Sequence, residues 1–173
     1  MESEMKRLWL SAAFVLFCGA LTFAKDPEQY YKTAEVKHYT KLEGIELSLT
    51  FTDYLYAELR AQLTKAKIFG RVVSEGEVVD DADVPSSIVL NGQLVEFKKG
   101  NLAKEVIIGF SSGYRRLKLD TVVTNRGDGA TLFTLHTQVR TPPNRTEQLM
   151  AKAAADAIAH ELRDAMKKER EKK

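Results

Sequence analysis

Several stretches of the chain alternate between apolar and polar residues with the period of two that is typical of strands. The clearest is Arg115 to Thr124, where leucine, threonine and valine take one face and arginine, lysine and aspartate take the other. This pattern predicts a strand with one face in water. The same reasoning predicts strands at Glu35 to Tyr39, Phe69 to Ser74, Ser87 to Lys98 and Thr131 to Arg140.

The pattern also assigns faces to the longer strands. In the strand from Ser87 to Lys98, one face is expected to carry Ile88, Leu90 and Leu94, and the other Val89, Val95 and Phe97. In the strand that begins at Thr131, the inner face is expected to carry Phe133, Leu135, Thr137 and Val139. Asn125 to Gly129 predicts the hairpin turn before it, because glycine supplies the positive φ that tight turns need.

Two longer segments have helical spacing. The first runs from Phe51 to about Ala66, with Thr50 and Asp53 as its expected cap. The second covers about residues 145–170, with Asn144 and Glu147 as its expected cap. Its apolar stripe is expected to contain Leu149, Met150, Ala153, Ala157, Ile158, Leu162, Ala165 and Met166. A short helix is predicted at Asn101 to Ile107.

The order of these elements predicts one α+β domain. Its mixed or antiparallel sheet of about four to five strands packs against one amphipathic helix and a long C-terminal helix. The ordered core is expected at about residues 35–166. At about 1.5 Å per residue, the last helix would be about 39 Å long, so its basic end at residues 167–173 is expected to project into solvent.

The amino terminus predicts export. Lys6 and Arg7 precede an uncharged run from Leu8 to Ala24, which ends in small residues. This is the pattern of a secretory signal peptide. We therefore expect a signal peptide at residues 1–24 and a mature domain at residues 25–173, in the periplasm or secreted after cleavage near Ala24.

Two alternatives to cleavage stay open. One is an uncleaved anchor helix, because the uncharged run is close to the length that crosses a bilayer. The other is lipid anchoring at Cys18, which is the minor alternative because Phe17 stands where a small residue is usual.

Composition narrows the chemistry. The 173 residues contain 26 lysines and arginines, 24 aspartates and glutamates and one cysteine, which gives a net charge of +2. A near-balanced charge gives no general attraction to nucleic acid, so no nucleic-acid partner is expected. The one cysteine lies in the predicted signal peptide, so the mature domain would have no thiol. No cofactor and no metal site are predicted.

The stretch from Leu90 to Phe97, followed by Gly100 and by residues 107–113 (IIGFSSG), resembles a family of uncharacterised bacterial envelope proteins with a G-F-x-x-G motif. Many members of that family are predicted lipoproteins. Ser111 stands where a glycine is usual, and Lys104-Glu105 replaces a common arginine region. The resemblance covers about residues 45–165.

The resemblance implies a fold similar to the amino-terminal domain of TolB and to curli-secretion lipoproteins. Because those domains are assembly and interaction modules, it implies binding rather than catalysis. The expected partner is another envelope protein or envelope component, and no spanning membrane segment is expected after signal cleavage.

The alternative function is a small exported serine hydrolase that uses Ser111. Residues 109–113 match the nucleophile pattern G-x-S-x-G, and Asp120 or Asp128 with His136 follow in a possible triad order. That elbow needs a helix after the serine, whereas a strand is predicted to follow. We therefore favour a non-catalytic module and predict no catalytic residue.

Other polar groups are interpreted structurally. His38, His136 and His160 are too scattered for a metal-ligand motif. Residues 75–83 are expected to form a solvated acidic loop, with room for a weak ion or a basic partner. Residues 126–128 (RGD) are interpreted as turn chemistry. A basic patch is possible from Lys98, Lys99, Arg115, Arg116 and Lys118, without a nucleic-acid motif.

Overall fold

A computed structural model of the protein describes residues 31–101 and 113–171. Within these ranges the fold is α+β, as predicted, with two α-helices and one mixed sheet. The strands are β1 (Thr33–Val36), β2 (Thr40–Lys41), β3 (Arg71–Ser74), β4 (Ser87–Lys98), β5 (Arg115–Asn125) and β6 (Thr131–Thr141). The helices are α1 (Phe51–Ala66) and α2 (Glu147–Glu171). The predicted short helix lies outside the described residues, except for Asn101.

The strand order in the sheet is β3-β1-β4-β5-β6, with β2 also beside β4. β1 runs parallel to β3 and to β4, while β4, β5 and β6 form an antiparallel meander. α1 connects β2 to β3, and a short 3-10 turn at Val84–Ser86 leads into β4. β2 has only two residues, which is too short for alternation to reveal it in the sequence.

Both helices pack on one face of the sheet and against each other. α1 buries Phe51, Leu55, Leu59 and Leu63 at intervals of four, which is the spacing of one helix face. The predicted alternation in β5 and β6 is confirmed, because Leu117, Leu119, Thr121, Val123, Leu135, Thr137 and Val139 are all buried. No helix in the described part of the chain is long and apolar enough to cross a membrane.

The predicted stripe of α2 was wrong in part. Leu149 is 43% exposed, and four alanines that the prediction omitted are fully or almost fully buried: Ala151, Ala154, Ala155 and Ala159. An alanine-rich run fits several helical phases equally well, so periodicity alone does not choose the buried face. Small side chains on that face allow α2 to lie close to α1 and the sheet.

Both predicted helix caps differ in detail. Thr50 occupies the cap position of α1, but its side chain makes no capping hydrogen bond. At α2 the side chain of Thr146, and not of Asn144, accepts the backbone N–H of Leu149 at 3.3 Å. The Glu147 carboxylate accepts the backbone N–H of Ser48 instead, so it ties the two helix starts together.

A bulge in β4 corrects one predicted face. The pairing of β4 with β5 shifts between Leu94 and Glu96, which leaves one extra residue in β4. After the shift Phe97 pairs with Leu117, on the core side of the sheet, and packs partly buried against the core. Phe97 was predicted on the opposite face because strict alternation does not anticipate an extra residue.

Gly92 provides a test of the core beside this bulge. A Cβ atom at Gly92 would lie 2.0 Å from the ring of Tyr39. The Tyr39 hydroxyl is fixed by the Thr121 hydroxyl at 2.7 Å, so the ring has little freedom to move away. We expect Gly92→Ala to lower the free energy of unfolding by about 3 kcal/mol, as overpacking does.

Urea denaturation of the mature chain measures this effect, with exposed Asn91→Ala as the control. The smaller side chain of Tyr39→Leu should remove most of the additional cost of Gly92→Ala. If Gly92→Ala costs the same stability in the wild type and in the Tyr39→Leu background, the steric explanation is contradicted.

Candidate functional site

Among the described residues, no helix packs on one face of the sheet, which we call the open face. On β4, β5 and β6 it carries polar residues in cross-strand rows, because paired residues of neighbouring strands lie on the same side. The row nearest the end of β4 contains Lys98, Arg116 and Arg140. The next rows contain Glu96, Lys118 and Gln138, and then Gln93, Asp120 and His136.

Three cations on this face pair with one carboxylate, and a fourth cation lies beside them in the register of the sheet. The Glu96 carboxylate forms ion pairs with Lys118 at 2.7 Å, with Arg116 at 3.0 Å and with Lys98 at 3.5 Å. Arg140 is exposed and makes no ion pair with any described residue. We call Lys98, Arg116, Lys118 and Arg140 the basic patch. The hydrogen bond from Lys118 and the charges of the neighbouring cations hold the pKa of Glu96 below its ordinary value.

The bulge in β4 places Glu96 and Lys98 on the open face. Sequence reasoning named Lys98, Arg116 and Lys118 as a possible basic patch, and the structure brings these three together. It does not add Lys99, which pairs with Glu46, or Arg115, which donates to the carbonyl of Arg145. Arg140 was missed, although the alternation in β6 and its register with β5 indicate its position.

A buried ion pair lies at the other end of the open face. Glu35 is only 6% exposed, and Arg126 Nη1 lies 2.7 Å from its carboxylate. The backbone N–H of Gly76 donates to Glu35 Oε1 at 3.0 Å, and Arg126 Nη2 donates to the carbonyl of Glu77 at 3.0 Å. Loop 75–86 therefore covers this end of the face, and its Val79 is buried there.

Three of the five acids between positions 75 and 83 are paired within the chain. Glu75 bonds His38 at 2.9 Å, Glu77 bonds Arg71 at 2.6 Å and Asp83 lies 3.5 Å from Lys32. The hydrogen bonds from His38, first from its backbone N–H, lower the pKa of Glu75. The loop is largely exposed, as the sequence predicted, and these contacts also attach it to the rest of the fold.

Of the remaining acids, Asp81 lines an open groove and Asp80 precedes it in the same loop. Asp80 and Asp81 are exposed and make no ion pair with any residue between 31–101 or 113–171. Asp81 and Asp128 line a groove of about 450 Å³, together with Val84, Pro85, Asn125 and Gly127. We call this the acidic groove. It lies between loop 75–86 and the β5–β6 turn.

The residues 126–128 act in that turn. The Asn125 side chain accepts the backbone N–H of Gly127 at 2.7 Å, and Asp128 accepts that of Ala130 at 2.9 Å. Gly129 has a φ of 71°, which is the left-handed conformation that glycine was expected to supply. Because Arg126 is committed to Glu35, the tripeptide is not presented as an exposed ligand.

The candidate triad is only partly within the described residues. Ser111, with Gly109 and Phe110, lies outside them. His136 Nδ1 lies 2.8 Å from Asp120 Oδ1 on the open face, but the two side chains are 75% and 40% exposed. The aspartate of a serine-protease triad is buried against its histidine, and this pair lacks that burial.

The other histidines make local contacts. His38 stacks on Tyr56 with ring centroids 3.8 Å apart, and His160 lies 3.4 Å from Asp164. In the described ranges, no group of three or more histidines, cysteines, aspartates and glutamates is arranged to hold a metal ion.

Residues 40–140 match the family model described as "Domain of unknown function (DUF4410)". The chain belongs to the DUF4410 family. The match contains the open face of β4 and β5, the acidic groove and most of β6. No curated protein is similar enough to this DUF4410 chain to count as a match.

Solved structures share the fold at low identity. The PelC dodecamer from Paraburkholderia phytofirmans superposes with a TM-score of 0.53 at 11% identity, over 78% of this chain and 89% of that chain. Protein XCC0632 from Xanthomonas campestris, of family DUF330, gives 0.56 at 12% identity, over 84% and 90%. The likeness establishes a common fold for the DUF4410 chain and these proteins.

The ion pair between Glu35 and Arg126 predicts that replacing Arg126 costs far more stability than replacing Arg140. Arg126→Met should leave a buried carboxylate without its cation and lower the free energy of unfolding by about 3 kcal/mol or more. Arg140→Met is the control, since this exposed arginine should change stability by no more than about 0.5 kcal/mol. Urea titration compares them. Similar losses of stability for both variants would show that the ion pair does not anchor the fold. Recovery of stability when Glu35→Gln is added to Arg126→Met would support the anchoring role.

The lowered pKa of Glu96 predicts part of the acid sensitivity. Because its folded pKa lies below the ordinary value of 4.5, its contribution is complete above that pH and is lost as the pH falls through the folded pKa. Glu96→Gln should therefore reduce the difference in urea midpoint between neutral and acidic pH. Glu43→Gln, at an exposed carboxylate that pairs with no cation in the described part of the chain, serves as the control and should leave that difference unchanged.

Proposed function

We propose that this DUF4410 chain is an exported cell-envelope protein that acts as a non-catalytic binding or assembly module. The observation that carries the proposal is the basic patch on the open face. Four cations face solvent around one carboxylate, on three strands that the core already holds rigid. A rigid and unevenly charged surface, on which no helix between residues 31 and 101 or between 113 and 171 packs, is suited to recognising a partner of complementary charge.

The amino-terminal sequence supports the site of action. Its basic start, uncharged run and small residues before Lys25 are those of a signal peptide, so the mature chain would enter the periplasm or the medium. The fold supports the kind of action, because PelC, which shares it, is a dodecamer. The resemblance to TolB amino-terminal and curli-secretion domains belongs to the same proposal.

Export is tested by following a C-terminally tagged chain into cell fractions. We expect the envelope fraction or the medium to contain a mature protein that begins at Lys25. Leu16→Arg, which interrupts the uncharged run, should leave the uncleaved precursor inside the cell. Leu49→Arg is the matched control at a residue that is 84% exposed in the domain, and it should be exported normally.

Mass spectrometry of the exported chain decides between the alternatives. Detection of a lipid-modified protein that begins at Cys18 would indicate lipid anchoring instead of cleavage near Ala24. A full-length chain retained in the membrane fraction would indicate an uncleaved anchor. A full-length chain in the cytosol would contradict the proposal.

The binding role is tested by affinity capture from envelope extracts. We expect the mature chain to retain a reproducible partner, and Lys118→Glu combined with Arg140→Glu to lose it. Lys152→Glu on the exposed side of α2 is the control for a change of charge elsewhere. Capture that does not depend on the basic patch would contradict the role of the open face.

A further inference from the structure

We propose that copies of this chain associate head to tail, with the basic patch of one copy against the acidic groove of the next. The inference rests on the proposed assembly role and deepens it by naming the partner, a second copy, and the two surfaces involved. It begins from the positions of these surfaces at opposite ends of the same strands.

The two surfaces are separated along β4. The acidic groove borders the start of β4, where Ser87 bonds the backbone of Arg126 in the β5–β6 turn. The basic patch lies at the other end, where Lys98 pairs with Arg116. The 12 residues of β4 span about 36 Å, so the two surfaces cannot meet within one copy. The molecule therefore has a negative and a positive end along the strand direction.

Neither surface is neutralised by residues 31–101 or 113–171 of its own chain. The basic patch has four cations and one carboxylate, and Arg140 is left without an ion pair among the described residues. At the groove, the nearby cations Lys32 and Arg126 are already paired with Asp83 and Glu35. Asp80, Asp81 and Asp128 remain without a cation in the part of the chain that the structure describes.

A second copy accounts for both surfaces at once. An anionic polymer would neutralise the basic patch and leave the acidic groove unpaired, whereas a second copy supplies the missing charge to each. The two surfaces are different, so the contact is heterologous and leaves a free patch and a free groove at the ends of every pair. Repetition of such a contact builds a ring if the rotation closes and an open chain if it does not.

The decisive experiment exchanges the charges. The variant Lys98→Glu with Arg140→Glu reverses the patch, and Asp80→Lys with Asp81→Lys reverses the groove side. These four side chains are exposed, and among the described residues only Lys98 of the four takes part in an ion pair, at 3.5 Å. Lys152→Glu with Asp156→Lys on α2 is the matched control. The mature chain, residues 25–173, is followed by sedimentation velocity and light scattering at about 50 mM and about 500 mM salt.

The expected pattern is specific. The wild type and the α2 control should form assemblies at low salt that dissociate at high salt. Each charge-reversed variant should bind its own copies at least about tenfold more weakly. The chain with all four reversals should assemble again, because its two surfaces are complementary in the opposite sense. Restored assembly cannot result from misfolding of the separate variants.

Three results would overturn the inference. They are a wild type that stays monomeric at all concentrations and salts, assembly that persists in both reversed variants, and a four-fold variant that is folded but monomeric. If the wild type is monomeric and binds dextran sulfate through the basic patch, the partner of the patch is an anionic polymer and not a second copy. In that case, or if patch-dependent capture of another envelope protein persists, the proposed binding function stands and only this inference fails.

Discussion

The carboxylate of Glu35 is buried on the open face of the sheet, and the guanidinium of Arg126 makes that position tolerable. The pair connects β1 to the β5–β6 turn across β4, and each partner also holds backbone groups of loop 75–86. Breaking one partner would leave the other charge buried without compensation. The loop and the turn that border the acidic groove are therefore both anchored to β1 by this contact, in addition to the ion pairs of Glu75, Glu77 and Asp83.

The sheet separates the residues that form the core from the residues that carry charge. Every second residue of β5 and β6 enters the core beneath the two helices, so the residues between them are free to be charged without weakening that core. The open face is consequently where charge accumulates, with Glu96 and its cations at one end and Glu35 beneath its loop at the other. The strands hold these two ends at a fixed distance, which a flexible surface would not do.

Strong periodicity made much of the fold predictable from sequence. The bounds of α1 and of β4 agree with the prediction, because a helical stripe or a long alternating run leaves few competing assignments. The face predicted for Phe97 was wrong because one extra residue in β4 moves every later side chain to the opposite face of the sheet. The prediction of the buried side of α2 was wrong in part because its alanines are compatible with several helical phases. Arg126 and Glu35 are far apart in sequence, so only tertiary structure reveals their contact.

The titratable groups whose pKa values are shifted among the described residues are groups that hold the structure together. Burial raises the pKa of Tyr39 well above its ordinary value, but its hydroxyl is bound to Thr121 inside the core. The carboxylates of Glu46, Glu75, Glu77 and Glu96 have lowered pKa values because cations or N–H groups bond them. Each therefore stays charged near neutral pH, where general acids and bases need a pKa close to the working pH. Permanent charges in fixed positions instead steer and orient a partner of opposite charge.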